Sequence, residues 1–309
     1  MARIRITHTT EYTYRNPVGL LRHRLMLRPD DSHDLRLHRA TLEVEPQPTA
    51  LHWKHDAFNN SICFLEWPDT LRTTRLSIVS TLDLLHHPEG PPLPVYILDP
   101  TAELFPFSYA AHEIPDLARL TERQQPDPDR RVDAWARRIV DATGSNHTLK
   151  VLEAMTHAIK REFRYDARHE EGTQTAAQTL ELGSGTCRDF AVLMMEALRS
   201  FGLATRFVTG YLYDDTSVAT QGGGSTHAWC SVYLPGAGWI EYDPTNGLIA
   251  GANLVRVGAT RGAEQALPIS GGFIGSAADP SGLHVDVSVS AVPIDAALAA
   301  ALSRTIHER

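Results

Sequence analysis

The chain has 309 residues, 42% apolar and 21% charged, which is enough for one large globular domain or two modest ones and too apolar for a disordered segment. A formal net charge of −8 offers no basic surface to a polyanion, so nucleic acid is not expected as a partner. Three cysteines, Cys63, Cys187 and Cys230, are too few and too odd in number for a disulfide framework and suit a reducing compartment.

Residues 3–13, 35–44, 61–67 and 75–84 alternate apolar and polar side chains, the period of half-buried strands. Residues 1–105 therefore read as an N-terminal β-rich domain. The first residues alternate charge with apolar side chains where a secretory signal would have an apolar core, and no apolar run reaches the roughly 18 residues that span a bilayer. A cytoplasmic protein with no membrane partner is expected. Prolines then cluster at Pro88, Pro91, Pro92, Pro94, Pro100, Pro106 and Pro115, a density that disfavours a central strand or a long helix and predicts an extended linker. Residues 106–145 read as the end of that linker plus one helix.

That helix is marked by Val132, Trp135, Ala136, Ile139 and Val140 at helical spacing, and a second by Leu152, Met155, Ile159 and Phe163. A third, with Phe190, Leu193, Met194, Ala197, Leu198 and Phe201, closes at Gly202, whose tolerance of positive φ suits a helix C-terminus. Strands follow at 205–213, 227–234 and 239–242, and Leu283, Val285, Val287 and Val289 alternate near the end. Helices followed by an antiparallel run make residues 146–309 a core with a C-terminal strand, and the fold class α+β.

Cys187 lies in Gly183-Ser184-Gly185-Thr186-Cys187-Arg188-Asp189-Phe190-Ala191, where a flexible loop becomes the third helix. Thr186 is a good N-cap, and Asp189 completes a Thr-x-x-Asp box, so Cys187 is the first helical residue. Unpaired N–H groups and the positive end of the helix dipole favour a thiolate there, and the thiolate is the nucleophilic form. A nucleophilic thiol needs a base. His8, His23, His33, His38, His52, His55, His86 and His87 sit in the β-region or its linker among charged neighbours and read as solvated surface residues. His227 instead opens a strand, and Asp243 follows sixteen residues later in Asp243-Pro244-Thr245-Asn246. A hairpin turning at Pro235-Gly236 would set His227 directly opposite Asp243 on one face of the sheet, where the carboxylate could fix the tautomer and steady the imidazolium. Cys230, three positions from His227, points to the other face and reads as core packing.

The stretches around Cys187, His227-Ala228-Trp229 and Asp243-Pro244-Thr245-Asn246, in that order, resemble the bacterial transglutaminase-like superfamily. The likeness continues through 206–211, and Tyr12-Thr13-Tyr14, Pro17-Val18 and Leu25-Met26-Leu27-Arg28-Pro29 are similar to the β-domain that often precedes this core in bacteria. In Asp56-Ala57-Phe58-Asn59-Asn60, Asn59 departs from the family, which commonly has glycine before the final Asn; the departure concerns the local turn. The resemblance implies a papain-like core with Cys187, His227 and Asp243 as a catalytic triad acting on amide or isopeptide carbonyls through a thioester. The oxyanion candidates are the main-chain N–H of Cys187 and the side chains of Gln174 and Gln178. A peptide or protein substrate and hydrolysis are expected. An amine acceptor would make the chain a transglutaminase or other acyltransferase, and a non-catalytic peptide-binding scaffold is the rival from another class.

Other spacings carry less. His227-x-x-Cys230 lacks a third and fourth zinc ligand, Gly222-Gly223-Gly224 lacks the strand-to-helix context of a phosphate loop, and Asp127-Pro128-Asp129 and Asp214-Asp215 lack calcium-loop spacing. No cofactor and no metal are expected. Oligomeric state is open.

Overall fold

The computed structural model describes residues 2–87, 98–166, 172–213, 226–249, 251 and 253–293. Pro88, Pro91, Pro92 and Pro94, the triglycine 222–224 and Asp214-Asp215 lie outside them. The N-terminal part folds as strands β1 (Ala2–Leu20), β2 (His23–Leu25), β3 (Leu35–Glu45), β4 (Ala50–His55), β5 (Ser61–Glu66) and β6 (Thr73–His86). Helices α1 (Ile114–Thr121), α2 (Arg131–Ala142) and α3 (Thr148–Glu162) follow. A short strand β7 (Arg164–Tyr165) then leads to α4 (Ala176–Leu182), β8 (Ser184–Gly185) and α5 (Cys187–Arg199). The chain continues through β9 (Thr205–Leu212), β10 (His227–Leu234), β11 (Gly238–Asp243), β12 (Leu248–Ile249), β13 (Leu254–Thr260), β14 (Ile269–Ser270), β15 (Phe273–Ile274) and β16 (Pro280–Ala291). This is an α+β fold.

The N-terminal strands form two antiparallel sheets, one with β1, β6, β3, β15 and β16 and one in the order β14-β2-β5-β4. Leu25, Cys63 and Leu65 from the second meet Val18, Leu76 and Ile78 from the first in a closed apolar layer, so the two sheets form a sandwich. The alternation read in the sequence is the signature of this packing: along β1, Ile4, Ile6, His8 and Thr10 are all buried. Asn59 adopts φ 64, the left-handed conformation that glycine would take most easily and that asparagine tolerates.

The second part is built on α5. Its residues are buried from Asp189 to Arg199, because it lies between α2, α3 and α4 on one side and the sheet β12-β11-β10-β9-β13 on the other. Phe207, Ala228, Cys230, Val232, Ile240 and Tyr242 form the helix-facing side of that sheet. Gly210 permits the tightest approach within it: a Cβ there would come within 2.2 Å of the Val255 carbonyl and 2.7 Å of the Trp229 ring. Gly210→Ala should therefore lower stability by about 1–3 kcal/mol through overpacking, read as a reduced denaturation midpoint in urea. An unchanged midpoint would mean that the β13 backbone at Val255 and the Trp229 ring both shift without cost.

Three expectations are corrected. The strand of Leu283–Val289, assigned to the catalytic core, instead pairs with β1, from Tyr14 opposite Pro280 to Ile4 opposite Ala291. It thus completes the N-terminal sheet. The second half of the supposed linker is packed structure: Leu98 and Phe105 are buried in the α5 core, Leu104 bridges to His147, and Pro115 occupies the first turn of α1, where its missing N–H costs nothing. Of the histidines read as solvated, His8, His23 and His86 are buried. His8 joins the two parts of the molecule, with Nδ1 3.0 Å from the Tyr211 hydroxyl and Nε2 3.0 Å from Thr10 Oγ1. Burial pushes its pKa down to about 4, against a smaller opposing pull from Asp286, so it is neutral at ordinary pH.

Candidate active site

Three element ends converge. Strands β10 and β11 are antiparallel, so the start of one and the end of the other lie at the same edge of the sheet, and these positions carry His227 and Asp243. The N-terminus of α5, carrying Cys187, approaches the same edge. Leu234 pairs with Gly238 and Cys230 with Tyr242, a register two positions away from the one that would set His227 directly opposite Asp243. The cause is a turn centred one residue later, on Gly236 instead of Pro235, which moves the pairing by two: Ala237 N–H donates to the Leu234 carbonyl, and Gly236 and Gly238 take φ of 86° and 74°. A displacement of two keeps every side chain on its face, so His227 and Asp243 become diagonal neighbours that still meet. His227 Nε2 is 2.8 Å from Asp243 Oδ2, with both side chains fully buried.

The carboxylate is held by the turn that follows it. Asp243 Oδ1 accepts from the main-chain N–H groups of Thr245 (2.9 Å) and Asn246 (3.3 Å), and Oδ2 accepts from Asn246 Nδ2 at 2.9 Å. Burial alone would favour the protonated acid, but His227 and these donors outweigh it and hold Asp243 below the usual carboxylate range. The reciprocal effect raises His227: burial opposes its charge, the Asp243 carboxylate overrides burial, Cys187 adds to it, and the pKa rises to about 10. Nε2 is engaged by Asp243, while Nδ1 is buried and has no hydrogen-bond partner. Cys187 therefore acts on the ring without a well-aligned hydrogen bond, the looser geometry common before a substrate is bound.

Cys187 is 7% exposed. Asp189 fixes the helix start behind it, accepting from Thr186 N–H (2.8 Å), Thr186 Oγ1 (3.0 Å) and Gln174 N–H (2.6 Å). As the first helical residue, Cys187 has a main-chain N–H with no partner inside the helix, which leaves that donor for an oxyanion. The two glutamines differ. Gln178 is exposed on α4 as part of its cap, its side-chain oxygen accepting from Thr175 N–H at 2.9 Å, and it is not placed as an oxyanion donor. Gln174 accepts from Thr179 Oγ1 through its side-chain oxygen, so its amide hydrogens are the group left to donate. Cys230 is fully buried on the opposite face, its Sγ 3.6 Å from the Tyr242 carbonyl, and burial pushes its thiol up strongly. Cys63, in the sandwich, is raised by burial to about 11.

Three residues of the site were given no role by the sequence, although Asn246 lies within the Asp243–Asn246 motif. Asn246 couples to both members of the pair, since its Nδ2 also lies 3.5 Å from His227 Nε2. Lys160 on α3 donates to the Asn246 carbonyl at 2.7 Å and anchors that turn. Tyr165 stands within electrostatic reach of Cys187 and Asp243; burial, and then those two groups, push its hydroxyl up to about 12, so it remains a proton donor. Among the described residues no group of three or more His, Cys, Asp or Glu is arranged to hold a metal ion.

A thiol at the N-terminus of a central helix, with a histidine–carboxylate pair on the adjoining antiparallel sheet and a β-sandwich in front, defines a transglutaminase-like core with an N-terminal β-region. The family model for the transglutaminase-like superfamily matches residues 133–244, and that for the bacterial transglutaminase-like N-terminal region matches residues 4–84. The chain belongs to the transglutaminase-like superfamily and stands, at family level, among thiol-dependent enzymes. Its relatives include an uncharacterized protein of Mycobacterium tuberculosis, 27% identical over 301 residues, covering 95% of this chain and 93% of the relative. One from Mycobacterium leprae is 34% identical over 106 residues, 34% of this chain and 37% of the relative. The crystal structure of a candidate cysteine protease from Cytophaga hutchinsonii has the same fold, with a TM-score of 0.64 at 18% identity, covering 96% of this chain and 92% of that one.

Proposed function

We propose that this protein is a cysteine peptidase or amidase in which Cys187, His227 and Asp243 act as nucleophile, base and orienting carboxylate. The observation that carries the reading is the fully buried His227–Asp243 pair, whose single unpartnered ring nitrogen belongs to an imidazole on which Cys187 also acts. In the resting pair the imidazolium already holds the thiol proton on Nδ1, so sulfur adds to the amide carbonyl as the thiolate, and the oxyanion is met by the Cys187 N–H with Gln174 or Tyr165 as the second donor. The imidazolium returns the proton to the departing amine, leaving a thioester. Water, deprotonated by the same nitrogen, then adds to the thioester carbonyl and releases a carboxylic acid and the free thiol. Water is always present, whereas an amine acceptor requires a site that binds it, and no such site is evident among the described residues beside Cys187. The likeness of fold to a candidate cysteine protease is in keeping with hydrolysis. Three unpaired buried thiols suit a reducing, cytoplasmic setting.

Alkylation by iodoacetamide isolates the first step, because the raised thiols of Cys63 and Cys230 leave Cys187 as the reactive one. Cys187 should be modified at neutral pH faster than a free thiol, and His227→Ala should slow it at least tenfold. Equal rates in the two proteins would defeat the thiol–imidazole pairing. Mass spectrometry of wild type and Cys187→Ala after exposure to a peptide library, with and without added primary amine, identifies the acceptor: incorporation of the amine in place of hydrolysis would convert the reading to acyl transfer.

A further inference from the structure

The side of the sheet away from α5 carries charge. Phe207, Cys230 and Tyr242 point to the helix, so Arg206, Ser231 and Glu241, each one position along its strand and mutually in register, project from the other face. A cavity of about 560 Å³ opens there between the sheet and the Asp30–Asp34 loop of the N-terminal region, a volume suited to a small ligand and a position at a domain boundary where such sites are common. Arg206 lines it. Its guanidinium carbon sits over the Trp239 ring, 3.8 Å from the ring centre, yet it forms no hydrogen bond or ion pair among the described residues, and its Nε is buried without a partner. Ser231 Oγ, on the neighbouring strand, is likewise buried and unpartnered. Buried donors are rarely left in this state.

We propose that this cavity binds a single carboxylate group through Arg206. The Trp239 ring beneath it restrains the guanidinium, and a planar fork of N–H donors matches a carboxylate in two parallel hydrogen bonds. The other cation of the cavity is already engaged: Arg256 donates to Glu241 at 2.7 Å and pairs with Asp34 at 3.5 Å. The lining thus holds four carboxylates against two guanidinium groups: Asp34 and Glu241 are engaged by Arg256, Asp31 pairs with Arg36 at 3.3 Å, and Asp30 is exposed, so Arg206 is the guanidinium that none of them pairs with. That balance admits a monoanion paired directly with Arg206 and disfavours a dianion such as phosphate. Ser231 is four residues along β10 from His227, on the order of 13 Å at strand rise, so the site is separate from the thiol. It does not depend on the catalytic reading.

Isothermal titration of the full chain with N-acetylalanine, N-acetylalaninamide and inorganic phosphate tests the assignment without any variant. The acid should bind about tenfold or more tightly than its amide, the loss expected when a charge-assisted pair is removed, and phosphate more weakly than the acid. Arg206→Gln should abolish the preference for the acid, and Cys187→Ala should preserve it, which separates failure here from failure of the proposed enzyme activity. A short peptide compared with its C-terminal amide distinguishes the source: tighter binding of the peptide acid than of N-acetylalanine points to a polypeptide C-terminus, and equal or weaker binding to a small free carboxylate. Equal affinity for acid and amide, preference for phosphate, or an acid preference that survives Arg206→Gln would overturn the proposal.

Discussion

Cys187→Ala should abolish amide hydrolysis, and His227→Ala should lower kcat by roughly 10³-fold or more, because each residue takes part in bond making or proton transfer. Asp243→Asn should also cost heavily, on the order of 10⁴-fold where a carboxylate selects the tautomer of a catalytic imidazole, but should leave measurable turnover because that residue neither gains nor loses a proton during the reaction. In this protein the tautomer argument has a definite form. Asp243 Oδ2 faces Nε2, so the carboxylate keeps a proton on that nitrogen, and in the proposed mechanism Nδ1 is the nitrogen that holds the proton taken from sulfur. Asparagine at 243 could present its amide hydrogens to Nε2 and drive the proton to the wrong nitrogen. Steady-state kinetics of the three variants on one peptide amide would settle the order. Wild-type turnover by Asp243→Asn would remove the carboxylate from the mechanism.

The same pair should dominate the dependence of stability on pH. Asp243→Ala leaves His227 buried without its counterion, a change that costs about 3–5 kcal/mol when one member of a buried pair is removed. The sign of the pH effect follows from the two shifts. His227 is raised to about 10 in the folded chain against about 6.5 in the unfolded one, so between those values only the folded chain keeps the proton and stability falls as pH rises. Asp243 is shifted the other way, so its contribution is present above its unfolded value near 3.9 and is lost on acidification. The advantage of wild type over Asp243→Ala should therefore be greatest between about pH 4 and 6.5 and should shrink steadily towards pH 10. Urea denaturation at a series of pH values measures it. A constant difference across that range would show that the pair is not ionised in the native state.

Much of this was legible because the relevant signals are local. The Thr186–Asp189 box announced the start of α5, and period-two alternation announced β1, β3 and β6. The hairpin was legible to within its turn: composition placed a bend at Pro235-Gly236 but could not fix its centre, and because moving the centre by one residue shifts the pairing by two, Asp243 stayed beside His227. What was missed lacks local periodicity. Strand β13 is buried at nearly every position, so it does not alternate, and β4 is exposed at nearly every position for the opposite reason. Helix α4 has seven residues, too few for a helical pattern to stand out. Tyr165 and Lys160 reach the site only through tertiary packing, and a single tyrosine or lysine has no spacing to read.

The pairing of β16 with β1 also bears on how the molecule is made. Strand β1 needs a neighbour on each side, and while β6 lies within the first hundred residues, its other partner lies beyond residue 279. A growing chain can therefore bury the sandwich layer early, yet it carries one long open strand edge until nearly all of the enzyme core has been synthesised. Open edges of this kind recruit other strands, so the interval is one of exposure to self-association, and closure across so many residues is slow. It also means that the two parts cannot be parted by a single cut: a fragment ending after β13 would keep the thiol, the histidine and the carboxylate but leave one edge of β1 open, and its yield in soluble form would be set by that edge rather than by the stability of the core around α5.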